Sequence, residues 1–352
     1  MKRTLLPVMA ALALTACKTD LEINAPYRDV TVVYGLLDQG QDTQFVKINK
    51  AFQGEGDALV YAQIPDSSEY GNEDIQYARV HRIQNGQRVK TMQLVLDTAN
   101  RVPGTFYSPE HQIFYFTDTA VTFNPGENQY QLYLMQDTEY ELDVMVKNKH
   151  VTARTNVVND FGWHAIMVAP QIEMTYYSGA QGYVAQIVRW NSARDGRRYE
   201  VSWRFNYIEV RSNGDEIPRS FTQRIGTRVA DNSQSIMAME IPMEGASFYS
   251  AIAANVPADP QVVQRKFAGL DFIITVANDE FHTVLSLSEP VSGIIEERPA
   301  YSNVENGYGI FASRYTKELR GKSINGASLQ ELMNGPITGH LNFCSLLHAN
   351  CD

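Results

Sequence analysis

The chain has 352 residues, enough for one large or two ordinary domains with a real hydrophobic core. Charged residues make up 20% against 44% hydrophobic, which excludes wholesale disorder. Lys and Arg number 30 against 40 Asp and Glu, a net charge of -10 with no basic block, so nucleic acid is not an expected partner.

Met1-Lys2-Arg3 precedes an apolar run from Leu5 to Ala16, and Cys17 follows. Two positive charges, a short apolar stretch and small residues at its end make a secretory signal peptide. The run is too short to cross a bilayer, which takes about 20 residues. Leu14-Thr15-Ala16-Cys17 resembles the bacterial lipoprotein box. That resemblance implies removal of residues 1–16 and lipidation of Cys17 by diacylglycerol and an N-acyl chain such as palmitate, hence a membrane-lipid partner. Losing Lys2 and Arg3 changes the charge from -10 to -12, that is -10 - 2. Residues 17–28 read as a polar tether containing Lys18-Thr19-Asp20-Leu21-Glu22. Acidic residues behind the lipid cysteine resemble the surface-export signals of Bacteroidota lipoproteins. Here they are sparse, so the periplasmic and cell-surface faces of the outer membrane both stay open.

Residues 29–160 read as strand after strand. Val30 to Leu37 ends at the turn Asp38-Gln39-Gly40-Gln41. From Gln44 to Ala51, Phe45, Lys47 and Asn49 alternate with Val46, Ile48 and Lys50. Gly54 to Gly71 reads as a long loop. Asn85-Gly86 between strand-like runs predicts a tight hairpin, because a type I′ turn needs positive φ at both central residues. Gln93–Leu96 and Ile113–Phe116 are further predicted strands. In Glu139 to Val157, Tyr140, Leu142, Val144 and Val146 share one face, Lys147-Asn148-Lys149 turns, and Val151, Ala153, Thr155 and Val157 return. Short strands with frequent turns predict an immunoglobulin-like β-sandwich.

Residues 161–352 read as a second β-rich domain with a few short helices. Tyr199, Val201, Trp203, Phe205 and Tyr207 alternate with polar residues, Asn213-Gly214 turns, and Ser220–Val229 returns. Phe248 and Ile252, spaced i, i+4, predict a helix over 245–255 that ends before Pro257 and Pro260. Phe272–Ala277 is an apolar strand, and 279–287 a short helix capped by Asn278. Cys344 and Cys351 are the cysteines left besides Cys17. An oxidising envelope favours a disulfide between them over a zinc site with His340 and His348.

Arg298-Pro299-Ala300-Tyr301-Ser302-Asn303-Val304-Glu305-Asn306-Gly307-Tyr308-Gly309-Ile310-Phe311 resembles a P-x-x-S-N-I-x-N-G-x-G-x-F signature. That signature lies near the C-terminus of a Bacteroidota outer-membrane lipoprotein family, domain of unknown function 4249. Val304 stands where Ile is usual. Val33-Tyr34-Gly35-Leu36-Leu37, the lipoprotein box, the 139–157 hairpin and the aromatic 199–207 strand fit the same family. The resemblance implies an accessory role beside a TonB-dependent β-barrel transporter, and it brings no catalytic residues. Within the motif, Gly307 and Gly309 permit tight backbone turns, Asn303 and Asn306 can bond nearby backbone, and Tyr308 and Phe311 can anchor in a core. A structural corner is the expected role, with binding as the other reading.

The seven histidines form no His-x-His or H-E-x-x-H pair, and there is no G-x-S-x-G elbow or P-loop. No catalytic residue, metal or cofactor is therefore assigned. Asp118 with Glu110 would serve glycoside hydrolysis only if folding set them about 5–9.5 Å apart. Asp38 and Asp42 offer oxygens for calcium but lack the EF-hand spacing. Trp163, Tyr176, Tyr177, Tyr183 and Trp190 can stack on sugar rings or fill a partner's pocket, or else pack the junction of the two β regions. The expectation is a lipid-anchored, non-enzymatic binding or accessory protein. An envelope hydrolase on glycan or peptide and a structural adhesin or assembly factor are the alternatives. A cleft of convergent carboxylates or a Ser-His pair would favour the hydrolase, and a flat aromatic patch would favour binding.

Overall fold

The computed structural model describes residues 30–51, 57–71, 73–100, 102–105, 110–118, 122–124, 130–174, 176–177, 182–289, 300–346 and 351. The leader, Cys17 and the tether lie outside the described residues.

The first region contains β1 (Val30–Asp38), β2 (Thr43–Ala51), helices α1 (Ala58–Ala62) and α2 (Pro65–Ser68), β3 (Ile75–Gln84) and β4 (Gln87–Gln93). It continues through β5 (Val95–Asn100), β6 (Glu110–Thr117), β7 (Thr122–Asn124), β8 (Tyr130–Leu132), β9 (Glu139–Val146) and β10 (Lys149–Asn156). The Asn85-Gly86 turn has φ of 52° and 75°, as the type I′ geometry demands. The expected long loop holds α1 and α2 instead. Asp57 caps α1 by accepting from the Leu59 N–H at 2.8 Å, and Pro65 opens α2. The strand expected over 93–96 is in fact a corner. Leu94 leaves β4 of one sheet, and β5 begins in the other.

The second region contains α3 (Ala165–Val168), β11 (Gln171–Ile172), β12 (Tyr176–Tyr177), β13 (Gly182–Tyr183), β14 (Ala185–Asn191), β15 (Arg198–Arg211) and β16 (Glu216–Val229). Then come β17 (Ala238–Glu244), α4 (Gly245–Asn255), β18 (Val262–Ala277), α5 (Asp279–Ser288), β19 (Val304–Glu305), β20 (Gly307–Ile324), α6 (Gly326–Asn334) and β21 (Phe343–Ser345). In α4 the buried Phe248, Tyr249 and Ile252 share one face. Asn278 caps α5 through its side-chain oxygen and the Phe281 N–H at 3.1 Å.

The protein is mostly β, with a few short helices. A ten-stranded sheet runs β16-β15-β18-β20-β1-β2-β6-β5, with β11 beside β20 and β21 beside β18. A five-stranded sheet runs β19-β10-β9-β3-β4. The two pack face to face over one core. Val33, Val46, Ile48, Phe114 and Phe311 come from the large sheet, and Val80, Tyr140, Leu142, Val144 and Val151 from the small one. A second core gathers Trp190, Trp203, Phe205, Phe248, Phe272 and Tyr315 among β14, β15, β18, β20 and α4.

β20 joins the regions. It lies between β18 and β1, parallel to β1, with Val32 opposite Tyr308 and Gly35 opposite Phe311. Residues 304–311 thus complete the sandwich begun by 30–157, and the large sheet continues across position 160.

Candidate functional site: an exposed aromatic sheet face

Period-two alternation sends Val33 and Leu37 of β1 into the core, so Val32, Tyr34 and Leu36 point the other way. The same rule turns Phe45, Lys47 and Asn49 of β2 outward, with Ile113 and Tyr115 of β6. On β20 it turns Tyr308 and Ile310 outward, so Tyr308, expected to anchor in the core with Phe311, faces water instead, because it falls on the opposite face of the strand. Pairing aligns them across neighbouring strands. Ile310 lies beside Tyr34, and Tyr34 beside Lys47. Phe45 lies beside Tyr115, and Tyr115 beside Val95 of β5.

The result is an apolar face across five strands, about 19 Å wide at about 4.8 Å per strand. It is open to water: Tyr34 is 55% exposed, Phe45 49% and Tyr308 57%. Phe45 and Tyr115 rest with ring centres 6.5 Å apart. Beneath it the backbone packs closely, because Gly35 sits on the buried Phe311 ring, where a Cβ would come within 2.6 Å. A hollow of about 380 Å³ opens beside Tyr34, Phe45, Lys47 and Ile310, with Phe281 of α5 as its far wall. An exposed apolar surface carried on a hydrogen-bonded sheet makes this face the candidate site.

The aromatic residues singled out from sequence go elsewhere. Trp190 is 1% exposed and sits in the second core, so it is corrected from a candidate contact to a packing residue. Trp163 forms a β-bridge to it and packs on the same core. Neither indole N–H has a hydrogen-bond partner among the described residues. Tyr183 is half-buried, stacks 5.6 Å from Tyr249 and donates to Glu331 Oε1 at 2.7 Å. Tyr176 and Tyr177 lie in β12 opposite Tyr183 and Gly182, and their side chains lie outside the description.

The motif residues knit the two sheets together. The Asn303 side chain accepts from the Phe311 N–H at 3.0 Å and donates to the Phe311 and Arg154 carbonyls at 2.7 and 2.9 Å. Asn306 takes a left-handed φ of 56° and donates to the His150 carbonyl at 2.9 Å. A Cβ on Gly307 would lie 2.8 Å from the Thr31 carbonyl oxygen, and one on Gly309 only 1.9 Å from that of Val33. β20 can approach β1 there only with glycine. Cys344, buried in β21, is joined to Cys351 by a disulfide.

Several polar clusters complete the survey. Asp118 is buried and takes Arg82, Lys90 and the Tyr140 hydroxyl at 2.6 Å. Burial first, then the Asp118 charge, pushes the Tyr140 phenol well above its usual range. Glu110 begins the strand that Asp118 follows, about 25 Å away by strand rise, too far for paired glycosidase chemistry. Asp38 caps its turn through the Gly40 N–H at 3.0 Å and pairs with Arg314 at 2.8 Å. His282 Nδ1 lies 3.3 Å from Ser286 Oγ, one helical turn away on the exposed side of α5. A cleft of about 360 Å³ between the regions is lined by Asp137, Glu139, Arg194, Asp195 and Gln234. Burial raises the Asp195 carboxyl, and a hydrogen bond from Gln234 only partly opposes this. No group of His, Cys, Asp or Glu suited to a metal ion occurs among the described residues.

No family model matches this chain, and no curated protein matches it. Among solved structures, it is similar to the C-terminal globular domain of an oligosaccharyltransferase from Pyrococcus abyssi, at 9% identity and a TM-score of 0.24. That match covers 85% of this chain and 52% of the other, so the chain spans about half the length of that domain. A likeness at this level carries no functional argument.

Proposed function

We propose that this protein is a lipid-anchored, non-enzymatic binding protein of the outer membrane, an accessory to a β-barrel transporter. The exposed aromatic face of β20, β1, β2, β6 and β5 carries the reading. A flat apolar surface of this kind contributes affinity by leaving water, and aromatic rings are favoured there because they bury much area at little entropic cost. The lipoprotein box supplies the anchor, and the family resemblance supplies the class of partner. The face is rooted on β1, the first strand after the tether, so the anchor holds it close to membrane-embedded neighbours.

The test is a gentle detergent extraction of the tagged, lipidated protein from native membranes, read by mass spectrometry. A stoichiometric β-barrel partner, lost when Tyr34 and Phe45 are both replaced by Ser, is the expected result. Recovery of the protein alone, or a partner unmoved by the substitutions, contradicts the proposal.

The hydrolase reading keeps one observation in its favour, the carboxylate-lined cleft with Asp195 held toward its protonated form. It requires glycan or peptide turnover that Asp195→Asn abolishes; turnover unaffected by that change removes it.

A further inference from the structure

The end of the sandwich from which the tether departs gathers three lysines in an otherwise acidic chain. Val30 begins β1, and Thr31 stands opposite Lys50 of β2. The Thr31 hydroxyl meets the Tyr70 hydroxyl at 2.9 Å. Lys50 and Lys147 place their ammonium groups 5.6 and 5.9 Å from the centre of the Tyr70 ring. Lys147-Asn148-Lys149, the tip of the β9–β10 hairpin, forms the rim of a hollow of about 340 Å³ floored by Thr31 and Tyr70. Asn306 ties this hairpin to the start of β20 through the His150 carbonyl. Three lysines thus gather at one end; Asp74 lies 3.9 Å from Lys147, and the Glu73 carboxylate lies beside Gly71, next to Tyr70.

We propose that this end rests on the anionic phospholipid head groups of the membrane that holds the anchor, through Lys50, Lys147 and Lys149. The proposal rests on the reading of Cys17 as the acylated residue. Charge complementarity identifies the occupant: lysines near a membrane surface gain from its negative potential, while the acidic remainder of the chain is repelled from it. The tether sets the reach. Thirteen steps from Cys17 to Val30 span at most about 45 Å, so the anchored end stays within that distance of the head groups. The tether raises the effective concentration of lipid at this end, so contacts of modest affinity are enough to orient the anchored protein. With this end down, β1 and β20 rise from the surface, and the aromatic face looks sideways toward a neighbour embedded in the same membrane.

The experiment uses the mature chain with Cys17→Ser, so that no acyl group contributes. It is sedimented with phosphatidylethanolamine vesicles, with or without about a quarter phosphatidylglycerol. Binding to the anionic vesicles alone is expected, lost at about 0.5 M salt. Lys50→Gln, Lys147→Gln and Lys149→Gln together should weaken it by about tenfold or more. Circular dichroism confirms that the triple variant is folded, and the single variants carry the test if it is not. Equal binding to both vesicles, no binding, or binding unmoved by the lysine changes overturns the proposal. Competition by millimolar inorganic phosphate also overturns it, by identifying a free phosphate ligand. Failure here leaves the anchor untouched, because lipidation is read separately, from the mass of the native protein.

Discussion

The outer face of β3, β9 and β10 carries buried carboxylates matched to cations, whereas the outer face of β1, β2 and β6 carries aromatic rings in water. On the first, Glu141 lies under Arg88 and Arg154, and Asp143 accepts from His81 and His150 at 2.9 Å each. His81 in turn meets the Thr91 hydroxyl at 2.8 Å. Arg79 stacks on Tyr77 at 3.8 Å. This is how a sandwich makes a finished, water-facing surface: long polar side chains cover the sheet and satisfy one another. On the second face Tyr34, Phe45 and Tyr308 stay about half exposed, with no such cover among the described residues. The two sheets enclose one core, so the contrast lies in their outward-facing residues and not in the packing beneath them.

Substitutions on three surfaces of the sandwich break or sharpen this contrast. The largest effect belongs inside. Phe311→Ala removes a fully buried ring that underlies Gly35 and should cost about 3–5 kcal/mol in urea unfolding. A loss below about 1 kcal/mol would mean that residues 304–311 do not complete the sandwich. Asn303→Ala comes next. It leaves the Phe311 backbone groups unpaired and should cost about 1–3 kcal/mol.

The polar outer face gives a smaller, pH-dependent effect. Burial works to raise the Asp143 carboxyl, but hydrogen bonds and charge from His81 and His150 outweigh it and hold the pKa below the usual carboxylate value. A depressed folded pKa stabilises the protein above the unfolded pKa, and that contribution is lost as pH falls through the folded value. Asp143→Asn should therefore lower stability by about 1 kcal/mol at neutral pH and flatten the acid limb of the stability curve below about pH 4. An unchanged acid limb would show that the pair of histidines does not favour the ionised carboxylate.

The smallest effect on folding belongs to the aromatic face. Tyr34→Ser with Phe45→Ser should change stability by about 1 kcal/mol, because the two residues are already about half in water. Partner capture should nevertheless fail. A large loss of stability would reassign these rings to the core.

The hairpins at Asn85-Gly86 and 139–157 and the helices at 245 and 279 were legible because each depends on local signals: turn residues, periodicity and a cap. The parallel pairing of β1 with β20 was not, because strands nearly the whole chain apart leave no local trace of their partnership. The motif around Asn303 stood out in sequence, but its bonds to Arg154 and His150 depend on that same distant pairing. The exposed face was half legible. Phe45 shares an alternating face with Lys47 and Asn49, and an aromatic ring among polar residues was the available signal. Tyr34 gave none, since β1 reads as uniformly apolar. Trp163 and Trp190 attracted attention by residue type alone, and type does not distinguish a ring that packs a core from one that meets a partner.

The most direct measurement is photo-crosslinking in native membranes from a photoreactive residue at position 45, with position 152 on the polar outer face as the control. A discrete adduct with a β-barrel from position 45, and none from 152, is the predicted result. Adducts of equal yield from both positions, or none from either, would contradict the claim that the aromatic face is the binding surface.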